Sequence, residues 1–569
     1  MKVIFETKIP ITINLEDVFE EIGIPKDTSY KILKKSIDAR LKTPHIFYRL
    51  LLDIDDTLAQ KLLSKNMVLP YEEEEKQLSI KKSKEERILV VGSGPSSLFC
   101  AYVLALSGKK VVIVERGRRI EDRVKDVEKF FEKQVLDENS NIQFGEGGAG
   151  TFSDGKLFSR VKSEYKKFIF ETLVKCGAPE DILYLSHPHI GTDKLRSTIV
   201  NFRKLLENLG VEIRFSTLFL DFELKENKIV KVILKDLEKR EIYEEYFDKI
   251  ILGIGHSARD VYFTLYKKNI NLIYKGFAIG VRVQHPQEYI NKLFYKKFYK
   301  HPKLPPAEYN LTYQVGNRGV FTFCMCPGGV VLNATSELNS SLTNGMSNYY
   351  RETPYANSAV VTQIFEKDIY KYFAKKLQEN KFFFEEILEK IPKDSIFYKV
   401  YAELYKNVNY LLPKKEIWAL AILFQKELEV KSFYKVKKEY YLPAQRGTDF
   451  LKGIIRGHLP ATNALPGVYE TRLDEILPSF ILVPIKIALK AWSKKYKNFV
   501  SENTLIIGSE TRTSSPVRIL REKDFKVLTK ENKKIENLYV IGEGSGYSGG
   551  ITSSAIDGIK CALSIIEEG

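Results

Sequence analysis

A chain of 569 residues, 44% of them hydrophobic, is too long for one ordinary domain and apolar enough to fill several cores, so a disordered or fibrous protein is excluded and a multidomain enzyme is expected. Lysine and arginine exceed aspartate and glutamate by 89 − 73 = 16, which favours acidic ligands without identifying one. Residues 1–82 are nonetheless neutral, with fourteen charges of each sign, so the surplus is no basic tail; clusters such as Lys292, Lys296, Lys297, Lys300 and Lys303 read as solvated faces.

Five cysteines and no signal-peptide pattern argue against a disulfide framework and for a reducing, cytoplasmic compartment. Two uncharged stretches, Ile88 to Gly108 and Gly319 to Ser336, are each broken by glycine and proline, and no membrane span is expected.

In chain order, residues 1–82 form a small α+β module with a ferredoxin-like order as one option. It has β-type runs near Lys2 to Ile13 and Ile46 to Ile54 and helical patterns after Leu15 and Asp56. The acidic run Glu72 to Glu75 and the charged segment Lys81 to Arg87 read as a linker. Arg87 to Val91 is then a buried strand, Pro95 to Ser107 an apolar helix closed by Gly108, and Val111 to Glu115 a second strand: a βαβ unit. Thr192 is expected to cap a helix that leads to the strand Val211 to Phe215, followed by a β-meander from Leu218 to Phe247 and a strand at Lys249 to Ile254. The aromatic middle of the chain carries helices around 364 to 391 and 484 to 497. Leu538 to Ile541 and Ser553 to Ile566 return as a strand and a helix that complete the first domain.

The segment from Val90 to Leu98 places Gly92, Ser93, Gly94, Pro95, Ser96 and Ser97 where a strand meets a helix N-terminus. Gly92 permits a tight turn, Gly94 lets backbone approach a pyrophosphate, and the helix beginning at Pro95 turns its free N–H groups and dipole toward the negative charge. Ser97 replaces the third glycine of the pattern. Glu115 ends the second strand 115 − 92 = 23 residues on, where a carboxylate accepts from a ribose diol, with Arg116 beside it. A second glycine segment, residues 539–551, sets Gly542 and Glu543 at a strand end and Gly549, Gly550 and Ile551 before a helix, the arrangement that meets a ribityl chain and a flavin pyrimidine. Gly147, Gly148, Ala149 and Thr151 are expected along the flavin edge. Together these segments point to non-covalently bound FAD.

The segments from Gly92, from Phe144, from Thr322 (ThrPheCysMetCysProGlyGly), from Glu510 (GluThrArgThrSerSerProValArgIle) and from Gly542 resemble those of a bacterial family of uncharacterised FAD-dependent dehydrogenases and oxidoreductases with a glutathione-reductase-type FAD fold, as does LysLysSerIleAspAlaArg at 34–40. The resemblance covers most of the chain. It implies FAD and a glutathione-reductase-type fold but no particular substrate; the order of elements along the chain builds a doubly wound α/β FAD domain from 83–284 and 501–569, with a mixed α+β substrate domain or cap inserted at 285–500.

Several residues are candidates for chemistry. Arg512, with Arg518 nearby, would anchor an anionic substrate or stabilise reduced flavin, or else form a surface salt bridge. Tyr547 would lie over the flavin ring or pack in a core. Cys324 and Cys326 would relay electrons as a dithiol, but inert packing is the commoner state of such cysteines and is expected here. His187 and His189 are proton-donor candidates for which capping or packing is the commoner role. No metal site is expected, since no second cysteine or histidine pair stands at ligand spacing.

The function expected is an FAD-dependent oxidoreductase acting on a small organic molecule in the central domain. The alternatives are a flavin-dependent nucleic-acid-modifying enzyme and a non-catalytic redox sensor. Lys31, Lys34, Lys35, Arg40 and Lys42 would be the backbone contacts for nucleic acid, but the neutral first module disfavours that partner. Residues 260–500 hold no second glycine-rich strand-turn-helix, so the electron donor is expected to be a transiently docked NAD(P)H, a bound substrate or a redox protein.

Overall fold

In a computed structural model, which describes residues 1–72, 78, 80–406 and 416–568, the β-branched runs Arg87–Val91 and Lys110–Val114 lie side by side in parallel. Both are buried over nearly their whole length, as strands covered on two faces must be. Glu212–Arg214 extends this sheet on one side; Lys249–Leu252 and Lys534–Val540 extend it on the other, all in parallel, and Lys526–Leu528 closes that edge antiparallel. Strand order reverses at Arg87–Val91, so a crevice opens at the carboxyl ends of Arg87–Val91 and Lys249–Leu252. The helix Pro95–Leu106 starts in that crevice, and the helix Ile551–Glu568 packs along it. Their approach is close because Gly558 lies against the Ser96 carbonyl.

Thr217–Lys225, Lys228–Asp236 and Glu241–Glu245 form an antiparallel meander. A seven-stranded sheet follows in the order Thr312–Val315, Arg318–Cys326, Tyr355–Ile364, Phe277–Pro286, Leu505–Glu510, Leu442–Arg446, Val468–Glu470, antiparallel except for its last pair. Of its central strands, Phe277–Pro286 crosses the boundary expected at 284, and Leu505–Glu510 lies beyond the one expected at 500. The helix Ser479–Lys495 lies on this sheet and runs through Pro484, starting earlier than its apolar pattern indicates. The helical stretch expected over 364–391 divides into Glu366–Glu379 and Phe383–Glu389. Ile417–Tyr434 is buried on every side and carries Lys426, Glu427 and Glu429 inward.

Lys2–Pro10, Leu15–Glu21, Tyr30–Asp38, His45–Asp53, Asp56–Ser64 and Leu69–Pro70 follow a βαββαβ order. Their sheet runs Tyr30–Asp38, His45–Asp53, Lys2–Pro10, Leu69–Pro70, every pair antiparallel, which is a ferredoxin-like arrangement. Its core is its own, built around Phe5, Phe19, Leu50 and Leu52. Residues 73–75 of the acidic run and 407–415 of the expected central domain lie outside the described residues. Among the described residues no helix is long and apolar enough to cross a membrane. The stretch from Ile88 divides into the strand Arg87–Val91 and the helix Pro95–Leu106, and that from Gly319 into strands that turn at Gly328 (φ +48°).

Candidate functional site

A cavity of about 390 Å³ runs along the carboxyl ends of the parallel strands and on to the edge of the seven-stranded sheet. Its floor is the first glycine turn. Gly92 has φ +96°, and a Cβ there would overlap the Gly253 carbonyl, so two loops of the sheet touch only because glycine stands at this point. Gly94 is the N-cap of Pro95–Leu106; no side chain caps the helix, and the space beside Gly94 is open. The N–H groups of the first turn are therefore left for a ligand. Ser93, Pro95 and Ser96 also line the cavity. Ser97 does not: it is buried behind the turn, with its Oγ against Gly253. Serine fits the third-glycine position because the residue facing it has no side chain.

Glu115 lines the wall and is already saturated. Oε2 accepts from Ser93 N (3.0 Å) and Ser93 Oγ (2.8 Å), and Oε1 accepts from Gly117 N (2.9 Å) and Gly145 N (3.0 Å). One carboxylate thus ties three loops together. Arg116 pairs with Asp260 and lies 4.4 Å over the Phe144 ring; its Nη1 is buried with no hydrogen-bond partner.

Gly148 and Ala149 reach the cavity, whereas Gly147 lies outside it, donating to the Ser93 carbonyl. Thr151 is buried behind: its Oγ1 donates to the Glu146 carbonyl (3.2 Å) and its own carbonyl accepts from Thr192 Oγ1 (2.7 Å). Thr192 is accordingly not the helix cap. Gly191, with φ +77°, holds that position. At the far glycine segment Glu543, Gly549, Gly550 and Ile551 line the cavity, with open space beside Gly549. Gly542 stays outside, donating its N–H to Asp557 Oδ2 at 2.8 Å.

The loop Gly253 to Ala258, which the glycine motifs above do not include, also lines the cavity. Its signal is the pair Gly253 and Gly255 directly after a buried strand. His256 Nδ1 stands 3.5 Å from Glu543 Oε2, and its Nε2 is buried without a hydrogen-bond partner.

Arg512 lines the cavity, and being buried it is no surface salt bridge. Its side chain is 1% exposed. Nε and Nη2 bond to Glu429 (2.9 and 2.7 Å), Nη2 to Glu337 (2.8 Å), and Nη1 to Ser257 Oγ and Ser336 Oγ (3.0 and 2.9 Å). Arg259 and Lys426 complete this buried network. Burial opposes the charge on both glutamates, yet Arg259 and its fellow cations outweigh it, holding Glu429 near a pKa of about 2 and Glu337 far below the carboxylate range.

Tyr547 neither reaches the cavity nor packs in a core. It is 38% exposed and sandwiched between Arg518 and Arg521, 4.9 and 4.0 Å from its ring centroid. His187 and His189 also lie off the cavity, bonded to Glu308 Oε1 (3.0 Å) and to the Tyr349 carbonyl (2.9 Å). The far end of the cavity is bounded by Lys156, Phe158, Phe323, Cys324, Asn344 and Glu510. Lys156 is held 2.9 Å from Asp154, and that carboxylate, against burial, keeps the ammonium charged. A bulge between Phe323 and Cys326 breaks the strand's alternation, so that Cys324 opens on the cavity while Cys326 is buried. No group of three or more histidine, cysteine or acidic side chains is placed to hold a metal ion among the described residues.

Residues 64–176 match the family described as pyridine nucleotide-disulphide oxidoreductase, and residues 276–393 and 407–513 match that described as FAD-dependent protein, C-terminal domain-like. An uncharacterized protein of Clostridium beijerinckii is 36% identical over 94% of this chain and 92% of its own length. Among solved structures, the 3-ketosteroid-delta4-(5alpha)-dehydrogenase of Rhodococcus jostii aligns at 10% identity over 86% of this chain and 98% of that one (TM-score 0.33). CtdE in complex with FAD aligns at 9% identity over 85% of this chain and 84% of that one (TM-score 0.30). Both alignments are too loose to bear on the site. The relative of near-equal length and the two matched segments, which contain the first glycine turn and most of the seven-stranded sheet, suffice: the chain belongs to a bacterial family of FAD-dependent oxidoreductases.

Proposed function

We propose that the cavity holds FAD in the glutathione-reductase manner and that the protein moves electrons between this cofactor and a small organic substrate at the cavity's far end. The observation that carries the reading is continuity. One cleft joins Glu115, the open turn at Gly94, the loop at Gly255 and the helix start at Gly550, in the order in which a dinucleotide meets an acidic strand end, a pyrophosphate turn and a second helix N-terminus. The residues fit the group: glycine keeps space open at Gly94 and Gly549, and the buried, unpartnered Arg116 Nη1 and His256 Nε2 are polar atoms that a cofactor would satisfy.

In this reading Ser93 to Ser96 take the pyrophosphate, Arg116 the adenosine end, and Gly549 to Ile551 the flavin. Glu115 fixes the loops around the adenosine, and a ribose hydroxyl reaches it where the Ser93 hydroxyl rotates away. Bound FAD supplies two-electron chemistry. The chain positions it, closes the site with the seven-stranded sheet and presents Lys156 as a fixed positive charge at the substrate end. NAD(P)H docked transiently or a redox protein serves as donor. The second domain is assigned to residues 276–513, matching the sheet rather than the expected 285–500.

The purified protein is expected to be yellow and to release intact FAD on heating, because backbone turns bind without a covalent link. Colourless protein that cannot be reconstituted with FAD refutes the reading. Anaerobic reduction with NADH, NADPH and reduced ferredoxin in parallel then identifies the donor class.

A further inference from the structure

We propose that Cys324 and Cys326 form a redox-active pair at the substrate end of the cavity, cycling between a dithiol and a Cys324–Cys326 disulfide in two-electron exchange with the FAD. This inference rests on the flavin reading above. It also reverses the packing role that residue type alone suggests.

The contrast with the other cysteines carries it. Cys100, Cys176 and Cys561 are buried in the core between helices, away from the cavity. Burial holds Cys176 up at about 11, and burial with the neighbouring Cys100 pushes Cys561 well above the thiol range, the state of inert thiols. Cys324 is different in three respects. It is partly exposed, and it lines the same cavity as Gly550 and Ile551. It has φ +45° at the bulge, a costly conformation for a residue with a side chain, of the kind that collects at working sites. It lies over buried cations: Arg282, paired with Glu510 through Nε and Nη2 (3.0 and 2.7 Å), donates from Nη1 to the Cys324 carbonyl (3.2 Å), and Lys156 bounds the same end of the cavity.

Cys326 stands two residues on, wholly buried, its Sγ donating to the Cys324 carbonyl (3.5 Å). The neighbouring Cys326 side chain draws Cys324 down to about 7 against burial, with Arg282 and Lys156 assisting and Glu510 opposing. Cys326 is pushed well above the thiol range by the Cys324 side chain and by burial, with Asp154 adding to the shift and Arg282 opposing it. A partly exposed thiol of lowered pKa with a buried partner of raised pKa is the division of labour of an attacking and a resolving cysteine. Forming the Cys324 Sγ–Cys326 Sγ bond from a Cys324 thiolate and a Cys326 thiol gives up two electrons and one proton, which oxidised FAD takes up. Breaking it returns the electron pair and the proton from reduced FAD, which is left oxidised, leaving a thiolate at Cys324 and a thiol at Cys326.

The test is electron counting on the holoprotein, oxidised with diamide, desalted and titrated anaerobically with dithionite. The parent is expected to take up about four electrons per FAD, and Cys324→Ser and Cys326→Ser about two each, because the flavin and the disulfide are separate two-electron couples. Uptake of two electrons by yellow parent protein overturns the pair while leaving the flavin reading intact; colourless protein overturns the flavin reading instead. Iodoacetamide mapping of the unmodified protein is independent of both variants. Selective alkylation of Cys324, with a rate that rises through pH 7 and is abolished by diamide, supports the pair, and equal protection of all five cysteines overturns it.

Discussion

Glu115 shows how a residue can be read correctly for position and incompletely for role. Its spacing from Gly92 marks the end of the second strand, but spacing cannot reveal that Ser93, Gly117 and Gly145 already fill its oxygens. Glu115→Ala leaves three buried backbone N–H groups without an acceptor, at roughly 1–3 kcal/mol each before relaxation. The variant is expected to lose FAD and to melt earlier, with Glu115→Gln intermediate because its amide nitrogen donates where an acceptor is needed. Fluorescence of released FAD and a thermal melt check both; unchanged FAD retention would show that the three loops hold the site without it.

Arg512 is the opposite case. Its segment was conspicuous, yet partners from residues 257, 336, 337 and 429 meet it only in the fold. Arg512→Met takes one cation from a network in which Arg259 and Lys426 remain beside two buried glutamates, and is expected to cost about 3–5 kcal/mol in denaturant unfolding. Because the folded pKa of Glu429 and that of Glu337 lie below the ordinary value, their contribution is complete above about pH 4.5 and is lost as pH falls toward 2. Parent stability measured across that window should decline more steeply than that of Arg512→Met.

At the scale of elements, what was legible was local. The strand, turn, helix and strand from Arg87 to Val114 stand where the glycine and β-branched pattern put them. Ile417–Tyr434 escaped notice because a helix buried all round has no polar face to give it a period. Tyr30–Asp38 escaped because its edge position leaves no residue fully buried. Pairing between distant elements is likewise invisible locally, and Gly558 is its clearest mark. A Cβ at Gly558 would overlap the Ser96 carbonyl in the first helix, and both helices begin at the cavity. Gly558→Ala is therefore expected to push the helix N-termini apart, costing about 1–3 kcal/mol by overpacking and weakening FAD binding. Gly549→Ala, beside open space, should leave stability unchanged, and equal melting temperatures for the two variants would count against the packing argument.

At the scale of the whole molecule, the parallel sheet could be read from its first unit, while the seven-stranded sheet could not. Its neighbours Phe277–Pro286 and Leu505–Glu510 are more than two hundred residues apart, and nothing in either segment names the other. The first module poses the remaining question. Its apolar core shares no member with the large cores. It meets the rest through Ala39, which packs on the large core, and through polar bonds: Lys35 N to the Tyr184 carbonyl (2.8 Å), Ser186 N to the Lys35 carbonyl (3.0 Å), and Lys303 Nζ to Asn14 Oδ1 (2.8 Å). Bonds of this kind contribute little, on the order of 1 kcal/mol each, and among the described residues none from 1–72 lines the cavity. A chain lacking residues 1–75 keeps Leu78 and Ile80, which pack on the core beside the first FAD-domain helix. It is expected to fold, to remain yellow and to melt within a few degrees of the parent. Retention of FAD with loss of turnover would assign the module to the donor or acceptor, whereas failure to fold would show that the contacts at Lys35 and Lys303 hold the larger domains together.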